Sequence, residues 1–314
     1  MTDKKISTVS LIGFGAMGSF FAPRLSAALG GGFRLTAGGE RKKRLETKGV
    51  TINGVNYRLP VDAPDDAGRP ADLVIIATKG YSLEEAVHDI RGRVGPDTLI
   101  LSVMNGVDSE RRLIEAYGRE HVLYSYMRMS IVMKDGVTDF DPTAGKVHFG
   151  EEKNAPGEYS RRVLRVKELF DSCGIPYEID PDMVYGIWLK FACNVGENLT
   201  CAMLRVPFGI FRVSEDANIM RRSGMREVQA VAAAEGITIR EEDILKQDAA
   251  VRALPVGNKP STLQDIEAGR RTEVDMFAGT VIRLGKKHGI PTPVCEMFYH
   301  GVRALEAKNA SDIF

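Results

Sequence analysis

No charge of either sign is in excess: the 314 residues hold 42 Lys plus Arg against 42 Asp plus Glu. No global basic field argues for nucleic acid as a partner, and no acidic excess argues for disorder. Cysteine is sparse. Cys173, Cys193, Cys201 and Cys295 lack CxxC spacing, and the expectation is buried thiols in a reducing compartment rather than a disulfide framework. The five His, at 88, 121, 148, 288 and 300, are dispersed, without HExxH or paired Cys/His spacing, so no metal site is expected. No apolar run approaches the roughly 20 residues of a membrane span. The opening MTDKKISTVSLIGFG passes from a polar tail into a strand without the apolar core of a signal peptide. A soluble cytoplasmic chain is the expectation. Internal repeats, low-complexity segments and Ser/Gly/Pro-rich linkers are likewise missing.

What remains is ordinary globular composition, 44% apolar and 27% charged, at a length suited to two domains. Residues 6–12, ISTVSLI, read as a strand, GFGAMG follows, and SFFAPRLSAAL reads as a helix. Gly13, Gly15 and Gly18 thus stand in the strand–turn–helix setting that a dinucleotide fingerprint requires. The first glycine permits the tight turn, the second lets backbone approach a pyrophosphate, and the third lets helix and strand pack closely. Phe14, Ala16 and Met17 complete the turn as cofactor-binding candidates. A glycine turn kept for packing alone is the plainer alternative.

Strands at 33–37, 71–78 and 98–104, with helices near 40–48, 83–91 and 109–117, continue a β/α alternation that predicts a doubly wound, mostly parallel sheet. Ligands bind beyond the carboxyl ends of such strands. Lys79 and Asn105 follow two of them, where a nicotinamide ribose and its ring belong. After the second strand come Gly38, Gly39, Glu40, Arg41, Lys42 and Lys43. Arg41 and Lys42 favour a ribose 2′-phosphate and hence NADP(H); Glu40 would suit the 2′-hydroxyl of NAD. Short β-like pieces in YSYMRMSIVM and GKVHFGE can extend the sheet, and SRRVLRVKELFDSCG reads as a helix before a last strand, IPYEI.

From Pro181 the pattern is helical, with helices expected at 182–204, 214–235, 264–288 and 293–307. The expected fold is therefore α/β: a Rossmann-like doubly wound domain over 1–180, then an all-α domain over 181–314. In WLKFACNVGENLT, Lys190, Asn194 and Asn198 recur every four residues on an otherwise apolar helix. Such a stripe suits a cleft whose other wall carries the cofactor. Lys190 would donate a proton as hydride reaches a carbonyl carbon, and the amides would orient a polar substrate. The plainer alternative is a surface lysine with two backbone-satisfied amides. NKPSTLQDIEAGRRTEVD adds Asn258, Ser261 and Glu273. Ser261 with Gln264 can equally be a helix capping box, and Glu273 a surface partner of Arg270 or Arg271.

Together GFGAMG, Lys79, MNGV, WLKFACNVGENLTCA and NKPSTLQDIEAGRRTEVD resemble the ketopantoate reductase (2-dehydropantoate 2-reductase) family over nearly the whole chain. The resemblance implies NADPH-dependent reduction of ketopantoate to pantoate, on the route to pantothenate and coenzyme A. It implies Lys190 as the general acid and Glu273 as its partner in catalysis. Asn194, Asn198, Asn258 and Ser261 match substrate-binding positions; Lys79, Asn105 and Glu273 match positions near the nicotinamide ribose. A homodimer through the helical half is compatible with it. Three positions depart from the family: Gly38 where Arg is common, Ser82 where Gln is common, and Phe208 in place of a substrate-pocket Asn. The last would suit a more apolar 2-oxo acid, so a related D-2-hydroxyacid dehydrogenase is the alternative. A silent NADP-binding regulatory protein is a third reading, opposed by the intact proton-donor set.

Overall fold

Buried parallel strands read as short continuous apolar runs because both of their faces are covered, and VSLI, LVII and LILS are of this kind. A computed structural model describes residues 4–66, 68, 70–129, 131–134, 136–143 and 145–311. The chain divides into two compact units, Met1–Val184 and Tyr185–Phe314.

The first unit runs β1 (Val9–Ile12), α1 (Ala16–Ser19), α2 (Ala22–Leu29), β2 (Phe33–Thr36), α3 (Gly39–Lys48), β3 (Val50–Ile52), β4 (Val55–Tyr57), β5 (Val61–Asp62), β6 (Leu73–Ile76), α4 (Leu83–Asp89), β7 (Leu99–Ser102) and α5 (Ser109–Tyr117). It continues through β8 (Val122–Arg128), β9 (Val132–Lys134), β10 (Val137–Asp139), β11 (Lys146–Gly150), α6 (Arg161–Cys173) and β12 (Tyr177–Glu178). The main sheet has the order β12-β11-β8-β7-β6-β1-β2-β5 and is parallel except where β11 runs against β8. The chain winds outward from β1 to β2 on one side and from β6 to β7 and β8 on the other. The carboxyl ends of β1 and β6 are therefore a topological switch point. Strand alternation sends Leu11, Leu73 and Leu101 to one face with Phe20, Phe21 and Phe170, and Ile12, Val74 and Ile100 to the other with Val87 and Leu113. Burying each such side chain contributes about 1.5–3 kcal/mol. A second sheet, β4-β3-β10-β9, was not expected from the sequence.

Local chemistry sets the helix limits. In α6, Ser160 Oγ accepts from the Val163 N–H at 3.3 Å, and Gly174 closes the helix at φ +63. The helix expected after the glycine turn is interrupted at Phe20–Phe21. Pro23 lies in the first turn of α2 and has no N–H with which to extend the ladder back.

The second unit is helical: α7 (Met183–Cys193, entered from the first unit), α8 (Leu199–Leu204), α9 (Ile210–Val213), α10 (Glu215–Ala234), α11 (Glu241–Ala253), α12 (Ser261–Glu267), α13 (Ala278–His288) and α14 (Pro293–Asn309). Three expectations are corrected here. The helix over 182–204 is continuous only through a π-turn at Asn194–Asn198. The helix over 264–288 is two helices, because the chain leaves α12 at Ala268 and Gly269 takes φ +63. Helix α11 was not anticipated: its apolar Ile244, Leu245 and Val251 make a weak stripe among charges. Among the described residues no helix is long and apolar enough to cross a membrane.

Candidate active site

The glycine turn comes first. Gly13 has φ +91, and a Cβ there would lie 2.4 Å from the backbone of Ala77 and Thr78, so β1 turns directly against the end of β6. A Cβ on Gly18 would lie 2.5 Å from the carbonyl oxygen of Gly13. Gly15 is different: nothing lies within 4 Å of its absent Cβ. The first and third glycines are thus needed for packing, while the second fronts open space that a side chain would fill. Phe14 is buried and anchors the turn, and Gly15, Ala16 and Met17 are partly exposed. First-turn N–H groups of a helix have no intrahelical acceptor, so this turn fits a pyrophosphate.

Lys79 and Asn105 sit at matching heights. Ile76 pairs with Ser102 across β6 and β7, and each candidate follows its strand residue three positions on (79 − 76 = 105 − 102 = 3). Both are partly buried, and Gly106 at φ +93 completes the turn after Asn105. Between these strand ends Thr78 Oγ1 approaches Met104 Sδ at 3.4 Å.

The end of β2 sorts its charges. Gly38 is the N-cap of α3 and Gly39 takes φ +53. Glu40 is exposed and paired with Lys43 at 2.7 Å. Lys42 donates to the Val61 carbonyl at 3.0 Å and neighbours Glu46 and Asp66 at 3.5 and 3.7 Å, so its ammonium is drawn toward β5. Arg41 is exposed as a residue, but its guanidinium is desolvated. That desolvation, and then the like charge of Arg44, lower its pKa; Glu85 and Tyr81 at the start of α4 act the other way. The guanidinium is therefore near enough to Glu85 of α4, and to Tyr81 just before it, for their charges to act on it.

In the second unit, Lys190 lies in the last turn of α7, partly buried, followed by Asn194 and Asn198 at the two ends of the π-turn. The i→i+5 bonding of a π-turn widens the helix locally and is frequent at functional sites. Asn198 is 8% exposed, and its Nδ2 donates to Asn194 Oδ1 at 3.5 Å, the long limit of a hydrogen bond. The Nδ2 of Asn194 is buried with no acceptor among the described residues. A buried unsatisfied donor costs about 1–3 kcal/mol, which makes this amide a candidate to meet an oxygen of a ligand. The π-turn is pressed against α10: a Cβ on Gly196 would lie 2.5 Å from the Arg221 carbonyl oxygen.

The other polar cluster differs from its expected form. The N-cap of α12 is Pro260, without a side-chain cap; Ser261 is the first helical residue, and Gln264 Nε2 donates to the Lys259 carbonyl at 2.8 Å. The capping box is therefore not formed, which leaves the partly buried Ser261 hydroxyl outside that structural role. Glu273 lies in the loop between α12 and α13 at 5% exposure, so it is not a surface carboxylate. Arg270 pairs with Asp265 at 2.9 Å and Arg271 with Asp275 at 3.1 Å. Asn258 ends a turn begun at Pro255, and its carbonyl accepts the N–H of Phe208 at 2.9 Å. The Phe208 ring packs on Phe211, centroids 6.4 Å apart.

Glu197 and Arg221 were not among the residues expected from the sequence. The signal was present: Arg221 shares a helical stripe with Ala217, Gly224, Met225 and Val228, all buried. Among the described residues no cluster of three or more His, Cys, Asp or Glu could hold a metal ion.

Two models of one family match the chain: "Ketopantoate reductase PanE/ApbA" over residues 9–154 and its C-terminal counterpart over 182–306. The chain belongs to the ketopantoate reductase PanE/ApbA family. A 2-dehydropantoate 2-reductase of Streptococcus pyogenes serotype M6 is 29% identical over 95% of this chain and 98% of its own length. One from Pyrococcus horikoshii is 27% identical over 95% and 97%. The ternary structure of D-mandelate dehydrogenase with NADH and anilino(oxo)acetate superposes with a TM-score of 0.85 at 25% identity, covering 97% of this chain and all of that one. Family membership and the Rossmann-like sheet make this an oxidoreductase of the 2-oxo acid class that uses a nicotinamide dinucleotide.

Proposed function

We propose that the protein reduces a bulky 2-oxo acid, branched or aromatic, to its D-2-hydroxy acid, in the manner of a D-2-hydroxyacid dehydrogenase. The observation that carries this reading is Phe208, fixed by its backbone to Asn258 where the family resemblance expects a polar amide. An aromatic ring at that position favours an apolar acyl group, and Asn258, Ser261, Asn194 and Asn198 remain to hold the carboxylate and the 2-oxo group. The likeness to D-mandelate dehydrogenase supports the same choice.

The bound dinucleotide would supply hydride to the carbonyl carbon. Lys190 donates the proton that the developing alkoxide requires, and Glu273 supports the ammonium. The Gly13–Gly18 turn takes the pyrophosphate, and Lys79 and Asn105 the ribose and nicotinamide. Arg41 favours NADPH over NADH; Lys42, held by Val61, is the lesser contributor. Ketopantoate reduction to pantoate, for pantothenate and coenzyme A synthesis, is the second reading. It is supported by the relatives named 2-dehydropantoate 2-reductase that match nearly full length. Initial rates with phenylpyruvate, phenylglyoxylate, 2-oxoisocaproate and ketopantoate, each with NADPH and NADH, test both. Preferred turnover of the first three supports the dehydrogenase reading, whereas preference for ketopantoate replaces it with the second. Dinucleotide binding without any turnover would favour a regulatory protein.

A further inference from the structure

Arg221 has no exposed surface at all, although it lies in the middle of a long helix. Its Nη1 stands 3.5 Å from Glu197 Oε1, and its Nη2 donates to Asp248 of α11. Asp248 also takes Arg222 at 2.7 Å, which ties the pair to α10 and α11 together. The guanidinium carbon lies 5.4 Å from the centre of the Phe211 ring, and Nε is buried with no acceptor among the described residues.

This placement is poorly explained by stability. Removing an ion from water costs several kcal/mol, and buried ion pairs can often be replaced by apolar side chains at no loss. What the guanidinium does instead is touch two segments that are separate in sequence. Glu197 belongs to the π-turn and immediately precedes Asn198. Phe211 carries Phe208, whose N–H is bonded to Asn258. On its backbone side, the Arg221 carbonyl sits where a Cβ of Gly196 would be, so that same residue limits the path of the π-turn.

We propose that Arg221 is a positioning residue: its guanidinium holds the Asn194–Asn198 turn through Glu197 and the Phe208–Asn258 arm through Phe211, fixing the spacing between the two arms that receive the 2-oxo acid. The inference rests on the functional reading above. It assigns to Arg221 no contact with substrate, and it predicts that loss of the fork loosens 2-oxo acid binding while leaving the dinucleotide site intact.

The test uses Arg221→Met, Arg221→Lys and Glu197→Gln in the full chain. Steady-state kinetics with the best 2-oxo acid gives kcat and KM, fluorescence titration gives the NADPH Kd, and thermal melts follow the fold. Arg221→Met should raise the KM of the 2-oxo acid by about tenfold or more, because small misplacements of positioning groups are costly. Arg221→Lys should fall between, since it keeps the charge and loses the fork. Glu197→Gln should raise KM in the same direction, and in all three the NADPH Kd should stay within about twofold. If Arg221→Met does not fold, Arg221→Lys and Glu197→Gln decide the matter. A lowered melting temperature with unchanged KM in every soluble variant would overturn the proposal, since a purely structural cation predicts that result. If the unmodified protein turns over no 2-oxo acid, the functional reading fails and this inference falls with it. If it does turn one over and the variants keep its KM, only the inference fails.

Discussion

The backbone N–H of Phe208 donates to the carbonyl oxygen of Asn258 at 2.9 Å, so two segments distant in sequence are tied together at these residues. The Phe208 ring also packs on the cluster formed by Cys201, Phe211, Ala217 and Val251, which limits its freedom to swing away. Substrate choice should therefore respond to this side chain. Phe208→Asn is expected to lower kcat/KM for phenylpyruvate and to raise the ketopantoate-to-phenylpyruvate ratio by about tenfold or more. A hydroxylated acyl group gains a polar partner, and an aromatic one loses an apolar wall. An unchanged ratio in a folded variant would remove Phe208 from the specificity argument.

The three glycines of the first turn should separate by experiment. Gly15→Val meets open space, so the melting temperature should hold while the dinucleotide Kd rises by about tenfold or more, as a side chain occupies the approach of the phosphates. Gly13→Ala meets backbone at 2.4 Å and a φ of +91, and should cost more than about 1 kcal/mol of stability whether or not cofactor is present. If both variants lose stability equally and neither loses affinity in the folded fraction, the turn serves packing alone.

Arg41, in the first turn of α3, has its guanidinium near enough to Glu85 of α4 to feel its charge, while Lys42 is held by Val61 and Glu40 is paired with Lys43. Arg41→Glu should raise the KM for NADPH by about ten- to a hundredfold, because it replaces a forked donor with a like charge to the 2′-phosphate, and should leave NADH little changed. Lys42→Ala should have the smaller effect. Equal KM values for the two cofactors in the unmodified protein would defeat the assignment.

The sheet was legible because short apolar runs alternate with amphipathic ones, and because glycines punctuate the first turn at the spacing that packing demands. Strand register puts Lys79 and Asn105 level with each other, as their positions after LVII and LILS had suggested. The π-turn was not legible. Lys190, Asn194 and Asn198 keep a four-residue spacing whether the bonding is i→i+4 or i→i+5, so the pattern alone cannot tell the two apart. The break after Glu267 was concealed by Val274 and Phe277, which continue an apolar rhythm; only Gly269 marked it. Arg221 was legible only in part. Its stripe with Ala217, Gly224, Met225 and Val228 marks a buried face, but its partners Glu197 and Asp248 are connected to it by no local pattern.

Lys190 remains the position where the functional reading is most exposed to test. It sits in the last turn of α7, partly buried, immediately before the turn that carries Asn194 with its unsatisfied buried donor. In the proposed reaction its ammonium supplies the proton that neutralises the alkoxide, and loss of a general acid typically lowers rate by about 10²–10⁴. Lys190→Ala should therefore lower kcat by that order and raise the KM of the 2-oxo acid, since the same ammonium meets the substrate oxygen. NADPH affinity should be little altered, because its proposed contacts lie mainly in the first unit. Lys190→Arg should keep much of the binding and little of the turnover: a guanidinium retains the charge but gives up its proton far less readily. Circular dichroism should show both variants folded. Normal turnover by Lys190→Ala would leave the proton unaccounted for and would return this residue to the helix surface.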